Sequence, residues 1–140
     1  MGDTNAITGE IVDAAYGIHT RLGPGLLESV YETLLENVLT QRGFTVARQV
    51  PVPFEFDGLR FDEGFRVDLL VEDRVVVELK SVERAAPVQS KQLLTYLRLL
   101  NLRVGLLITF GAPTLKEGVR RVVNAYVPSP PVVVRGSVDW

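Results

Sequence analysis

The sequence predicts a mixed α/β domain, and three observations support this fold class. Apolar residues recur at helical spacing in two segments near the N-terminus. Strand-like runs separated by short turns follow them, and a further helical segment then leads into a buried strand. We therefore expect helices flanking a central antiparallel or mixed sheet. At 140 residues the chain has the length of one domain, which we assign to residues 1–127, with 128–140 as an extended tail rich in proline and valine.

Three helices are expected, each with a recognisable start or stop signal. The first runs from about Thr8, as its N-cap, to Arg21, and Gly23-Pro24-Gly25 ends it. The second follows at about residues 26–42, and the third at about residues 87–101 begins with a proline at a tolerated position. Residues 115–124 fit either a helix or a strand.

The strands between these helices are predicted to form antiparallel hairpins. A two-residue turn at Asp57-Gly58 joins the run 44–56 to a strand that begins at Leu59. A second hairpin joins 65–71 to 75–82 around residues 72–74, and 103–110 is a buried strand that follows the third helix.

Composition limits the kind of metal site that the chain can build. The chain contains no cysteine and one histidine, which excludes thiolate sites and His-rich zinc sites. A metal would therefore be held mainly by oxygen, as magnesium, manganese and calcium are. The absence of cysteine, with no export signal, favours the cytoplasm. The sequence contains no stretch of 18 apolar residues, so no membrane span is predicted.

The small net charge of −2 hides an asymmetry along the chain. Residues 1–79 contain 14 acids and 6 bases, whereas residues 80–140 contain 3 acids and 9 bases. A protein that binds a polyanion through metal-holding carboxylates needs acids at the metal site and bases around it. A chance distribution of charged residues over solvated surfaces explains this asymmetry equally well.

The hairpin 65–82 carries the candidate chemistry. Asp68 lies in one apolar run, and Glu78 and Lys80 share one face of the next. If the strands pair about Asp73, Asp68 and Glu78 become direct cross-strand neighbours, and their repulsion is relieved by a divalent cation or a proton. A two-residue turn would instead shift the register by one residue and separate them onto opposite faces.

This arrangement suits phosphodiester hydrolysis. Two carboxylates can hold a Mg²⁺ ion, for which Mn²⁺ can substitute, that polarises the scissile phosphate and acidifies a bound water. Lys80 can orient or activate that water and offset charge in the transition state. The alternative is a structural ion pair of Lys80 with either carboxylate.

Four motifs in order resemble the bacterial GxxExxY family, which is placed in the PD-(D/E)XK nuclease superfamily. The motifs are Gly25-x-x-Glu28-x-x-Tyr31, Asp68 in its apolar run, Glu78-x-Lys80 and Gln92-x-x-x-Tyr96. The resemblance covers roughly residues 7–124, with Thr109 where asparagine is expected. It implies a restriction-endonuclease-like core of helices around a mixed sheet, and a nuclease activity that rests on fold and motif.

The resemblance also implies roles for individual residues. Glu28 would join Asp68 and Glu78 in the metal shell, and the alternative is an N-terminal helix charge. Gln92 and Tyr96 share a helix face and would support Lys80 or the substrate backbone, unless they form an ordinary helix-face contact. His19 is expected on a polar side of the first helix, where related branches have a ligand and where an ordinary surface histidine is the alternative. Tyr31 is expected in the core.

The predicted partner is DNA or RNA. The basic residues proposed as phosphate contacts are Lys91, Arg98, Arg120 and Arg121. Two functions stay open: a magnesium-dependent nuclease, and a catalytically silent module that keeps the fold to bind nucleic acid or a protein. The sequence leaves the oligomeric state open, a homodimer included.

Overall fold

The computed structural model describes residues 3–125 and has a five-stranded mixed sheet between helices. In chain order the elements are α1 (Thr4–Leu22), α2 (Glu28–Gln41), β1 (Val46–Phe56), β2 (Leu59–Val71), β3 (Val75–Lys80), α3 (Pro87–Leu100), β4 (Val104–Thr109), α4 (Leu115–Gly118) and β5 (Val119–Val123). The predicted fold class and element order are confirmed. The predicted tail, 128–140, lies outside the described residues.

The strands lie in the order β1-β2-β3-β4-β5, and only β3 and β4 are parallel. A parallel pair needs a crossover, which α3 supplies. The segments predicted from Leu59 and over 65–71 form one continuous strand, β2. The ambiguous segment 115–124 contains both elements, a helical turn and then the strand β5.

Two apolar clusters sandwich the sheet. The larger one joins α1 and α2 to one sheet face, where Val75, Val77 and Leu79 of β3 are buried. The smaller one joins Leu93 and Leu97 of α3 to the opposite face. Sequence periodicity alone dictates this division, because alternate residues of a buried strand face opposite layers.

The first helix starts five residues earlier than predicted. Thr8 is buried inside α1, and the N-cap is Asp3, whose carboxylate accepts a hydrogen bond from the N–H of Ala6 at 2.8 Å. Both residue types cap helices well. The earlier start buries Ile7, 1% exposed, against the sheet, and this burial favours Asp3 over Thr8.

Among residues 3–125, none of the helices combines the length and the apolar character that crossing a membrane requires.

Candidate functional site

The β2–β3 hairpin has the register that the sequence predicts. Val71 pairs with Val75 and Leu69 with Val77, so that Asp68 and Glu78 are next in line. The regular pairing stops there, and the two carboxylates replace it. An oxygen of Glu78 accepts from the N–H of Asp68 at 2.9 Å, and an oxygen of Asp68 accepts from the N–H of Leu79 at 2.8 Å. Each acid is therefore held by the main chain of the opposite strand.

Burial perturbs both carboxyl groups. Glu78 is only 8% exposed, and burial, with the charge of Asp68 as a further cause, raises its pKa to about 8. Burial also raises the pKa of Asp68, against the opposing effect of the hydrogen bonds from Leu79 and Gln49. Two carboxyl groups that face each other, one buried and one half-buried, are costly unless a cation or a proton relieves them.

Lys80 is the cation whose charge acts on both acids of this pair. It ends β3, it is half-buried, and its charge lowers the pKa of both Asp68 and Glu78. Within residues 3–125, Lys80 makes no salt bridge with either acid. The structural ion pair weighed above is therefore not formed, and the ammonium group is left beside the acids without being bonded to them.

Glu28 is the first residue of α2, at the end of the helix where the macrodipole favours an anion. Burial raises the pKa of Glu28, and both Lys80 and Asp68 influence it. Glu28 is thus within electrostatic reach of the pair. In the described part of the chain, however, no group of three or more His, Cys, Asp or Glu side chains lies close enough to hold a metal ion. The three-carboxylate set expected with Glu28 is therefore not assembled.

Tyr31 ties the loop that precedes α2 to the core. Its hydroxyl donates to the carbonyl of Gly23 at 2.6 Å and accepts from the N–H of Leu26 at 3.1 Å. Its ring is fully buried and stacks on Phe110 at 4.3 Å. Gly25 has φ +110°, which other residues rarely adopt. Tyr31 is a core residue, as predicted, and it fixes the loop from which Glu28 starts.

The helix α3, which covers the sheet face opposite to α1 and α2, brings Tyr96 towards the acids. Tyr96 stacks on Phe65 at 4.2 Å, and its pKa is raised by burial and by the charges of Glu78 and Asp68. Gln92, one turn earlier, and Lys91 are exposed. A Cβ at Gly105 would lie 2.9 Å from Leu93, so glycine in β4 permits the close approach of this helix.

One expectation about polar residues is wrong. His19 is not on a polar side of α1: it is buried, and its Nε2 lies 2.9 Å from the carbonyl oxygen of Ala112. The error arises because a later segment of the chain covers α1, and helical periodicity carries no information about it. Arg121 is exposed, and its guanidinium donates to Thr8 and Asn5 of α1, so its contact with phosphate stays a prediction.

Sequence reasoning missed a polar network next to Asp68. Glu32, 5% exposed, forms a salt bridge with Arg48 at 2.6 Å. The side-chain amide of Gln49 donates to Glu32 at 2.9 Å and to Asp68 at 3.3 Å. Glu32 lies four residues after Glu28 and so on the same helix face, which was a usable signal. No comparable signal marks Gln49.

The oxygen atoms of the acid pair are suitable ligands for a hard divalent cation. Asp68 and Glu78 offer carboxylate oxygens, and the main-chain hydrogen bonds leave each of them further lone pairs. Magnesium is commonly bound by one or two carboxylates, while waters and substrate phosphates complete its shell. Two facing carboxylates therefore suffice for such an ion, even without Glu28.

A family model described as the PD-(D/E)XK nuclease superfamily matches residues 5–122, which run from the second residue of α1 to the last but one of β5. No curated protein and no solved structure gives a significant match. Since the matched segment covers most of the chain, the protein belongs to the PD-(D/E)XK nuclease superfamily.

Proposed function

We propose that this protein is a Mg²⁺-dependent nuclease that hydrolyses phosphodiester bonds of DNA or RNA, with Asp68 and Glu78 as the metal ligands. Nucleases of the superfamily generally use divalent metals. The observation that carries the proposal is the crossed pair of carboxylates, the half-buried Asp68 and the buried Glu78, each held by the opposite strand, with the pKa of Glu78 raised to about 8. Such a pair lowers stability when it is ionised, and cation binding would relieve that cost.

Each residue has a task that follows from its chemistry. When bound, the ion supplies Lewis-acid polarisation of a phosphoryl oxygen and a more acidic water. Asp68 and Glu78 would bind in their ionised forms, so the carboxyl group of Glu78 releases its proton. Lys80, not engaged in a salt bridge, would orient the attacking water and offset the negative charge that develops on the phosphate.

The remaining assignments extend this proposal. Glu28 would complete the metal shell through a water or after a side-chain rotation, since its pKa already responds to Asp68 and Lys80. Tyr96 and Gln92 would support Lys80 or the substrate backbone, and the exposed Lys91 would contact phosphate. We also propose that the protein belongs to the GxxExxY family. The hydrogen bonds of the Tyr31 hydroxyl to the loop before α2 give the tyrosine of that motif a structural role. The cytoplasmic location stays a prediction, as does the role at the site that the resemblance implies for His19.

A cleavage panel tests the proposal. Single- and double-stranded DNA and RNA would be incubated with the protein and Mg²⁺, Mn²⁺ or a chelator, with Asp68→Asn as the inactive control. We expect cleavage of at least one substrate by the wild type, and none with the chelator or with Asp68→Asn.

The silent binding module predicts a different outcome. It would retain nucleic acid in a gel-shift assay without cleaving it, and Asp68→Asn would bind as well as the wild type. Cleavage that survives Asp68→Asn would show that the activity does not come from this site.

A further inference from the structure

Gln49 has an unusual backbone in the middle of β1. Its φ is +51°, in the left-handed region that residues other than glycine, asparagine and aspartate rarely adopt. Its neighbours pair regularly with β2, Arg48 with Leu69 and Val50 with Val67, so Gln49 lies opposite Asp68. Strain of this kind persists only where the surrounding structure enforces it, and it is frequent at functional sites.

The strand rotates at this position. Val46 packs in the cluster of α1 and α2, whereas Val50, four residues later, packs in the cluster of α3. On β2, Leu69 and Val67 are divided between the same two clusters. Residues an even number apart share a face of a regular strand. The change of side therefore occurs in the row that contains Gln49 and Asp68.

The conformation of Gln49 directs its side-chain amide at two acids. A primary amide has two hydrogens, and here one goes to Glu32 at 2.9 Å and the other to Asp68 at 3.3 Å. Glu32 is itself fixed by the Nε of Arg48 at 2.6 Å. The bonds thus run without interruption from a partly buried ion pair, through one amide, to a candidate metal ligand.

Both oxygens of Asp68 are held in this way. One accepts from the amide of Gln49 and the other from the N–H of Leu79 at 2.8 Å. The plane of the carboxylate is therefore set from β1 and from β3 together. Ligands that are oriented by such hydrogen bonds bind metal more tightly than ligands that must be ordered on binding.

We propose that Gln49 is a positioning residue that orients the Asp68 carboxylate towards a divalent cation by tying it to the Glu32–Arg48 ion pair. The inference rests on the proposed function, because it requires the ion to bind at Asp68. Loss of the amide should weaken metal binding by about 10- to 100-fold, the usual effect of removing a group that orients a metal ligand.

Calorimetric titration of the whole chain with Mn²⁺ tests this inference without a substrate. Gln49→Met keeps the length of the side chain and the backbone strain but removes both hydrogen bonds. Gln49→Gly removes the hydrogen bonds and also the strain, since glycine tolerates positive φ. Gln41→Met, at the exposed last residue of α2, is the matched control. We expect both Gln49 variants to lose affinity by at least about tenfold, and Gln41→Met to bind as the wild type does.

Melting temperatures of the same variants separate positioning from simple structural support. A positioning role predicts similar losses of affinity in the Met and Gly variants, even though their stabilities differ. If both variants bind Mn²⁺ like the wild type while Asp68→Asn does not, the role of Gln49 is refuted and the metal site stands. If the wild type does not bind Mn²⁺, the metal site and this inference fail together.

Discussion

Glu32 and Glu78 are two carboxylates with nearly the same exposure, 5% and 8%, in very different surroundings. Glu32 accepts from the guanidinium of Arg48 and from the amide of Gln49. Glu78 accepts from one main-chain N–H and faces a second acid, and its pKa is raised to about 8. Burial alone therefore does not mark a functional acid; the informative feature is burial without a bonded cation.

The two cations next to these acids should differ most in their effect on cleavage. Lys80→Ala should lower the rate of phosphodiester cleavage by about 10²- to 10³-fold, because it removes a positive charge where negative charge develops. Mn²⁺ affinity, measured by calorimetry, should survive, because both ligands are retained. Arg48→Ala should act differently, because it leaves the buried Glu32 without its cation and so lowers stability. Since Glu32 also holds the amide of Gln49, Arg48→Ala should weaken Mn²⁺ binding, which Lys80→Ala leaves intact. A Lys80 variant that cleaves at the wild-type rate would remove Lys80 from the mechanism.

Matched Glu→Gln substitutions should change stability in opposite directions at Glu32 and at Glu78. Glu32→Gln removes the charge that Arg48 needs and should cost about 1 to 2 kcal/mol, less than for a fully buried pair, since the Arg48 side chain is 32% exposed. Glu78→Gln keeps an acceptor for the N–H of Asp68 but removes a repulsive charge, so at pH 9 it should stabilise the metal-free protein. Denaturant unfolding with a chelator measures both. Losses of equal size would make Glu78 a structural acid like Glu32.

The pH dependence of stability should show the same contrast. The pKa of Glu78 is about 8 in the folded state against 4.5 in the unfolded chain, so the folded state binds more protons between these values. The free energy of unfolding therefore falls as pH rises through this window, and the loss is complete above about pH 8. Asp68 and Glu28 shift in the same direction. Melting temperatures from about pH 6 to pH 9, with a chelator, should fall more steeply for the wild type than for Glu78→Gln. Parallel curves would contradict the raised pKa.

The sequence predicts those parts of the fold that depend on local pattern. The pairing of Asp68 with Glu78 follows from a period of two and a three-residue loop, and the observed register confirms it. His19 was misplaced because the segment that covers it lies 93 residues away in the chain. The conformation of Gln49 was not predictable, because the left-handed region has no marker in a glutamine. Local pattern thus locates the acids, while tertiary contacts decide which acid is paired.

Glu28 tests whether the acidic site of Asp68 and Glu78 extends to the start of α2, and its expected effect on stability is the smallest. If Glu28 belongs with Asp68 and Glu78, Glu28→Gln should weaken Mn²⁺ binding by about tenfold, with little change in the melting temperature. If it is only an N-terminal helix charge, the variant should lose about 0.5 kcal/mol and bind Mn²⁺ normally. Its raised pKa, caused first by burial, favours the first outcome, because a solvated helix charge would not be shifted in this way. Ser29→Ala, at the exposed next position of α2, controls for general effects on the start of the helix. Calorimetry and thermal melting on the same samples decide between the two roles, and unchanged Mn²⁺ affinity in Glu28→Gln would leave Asp68 and Glu78 as the only carboxylate ligands of the proposed site.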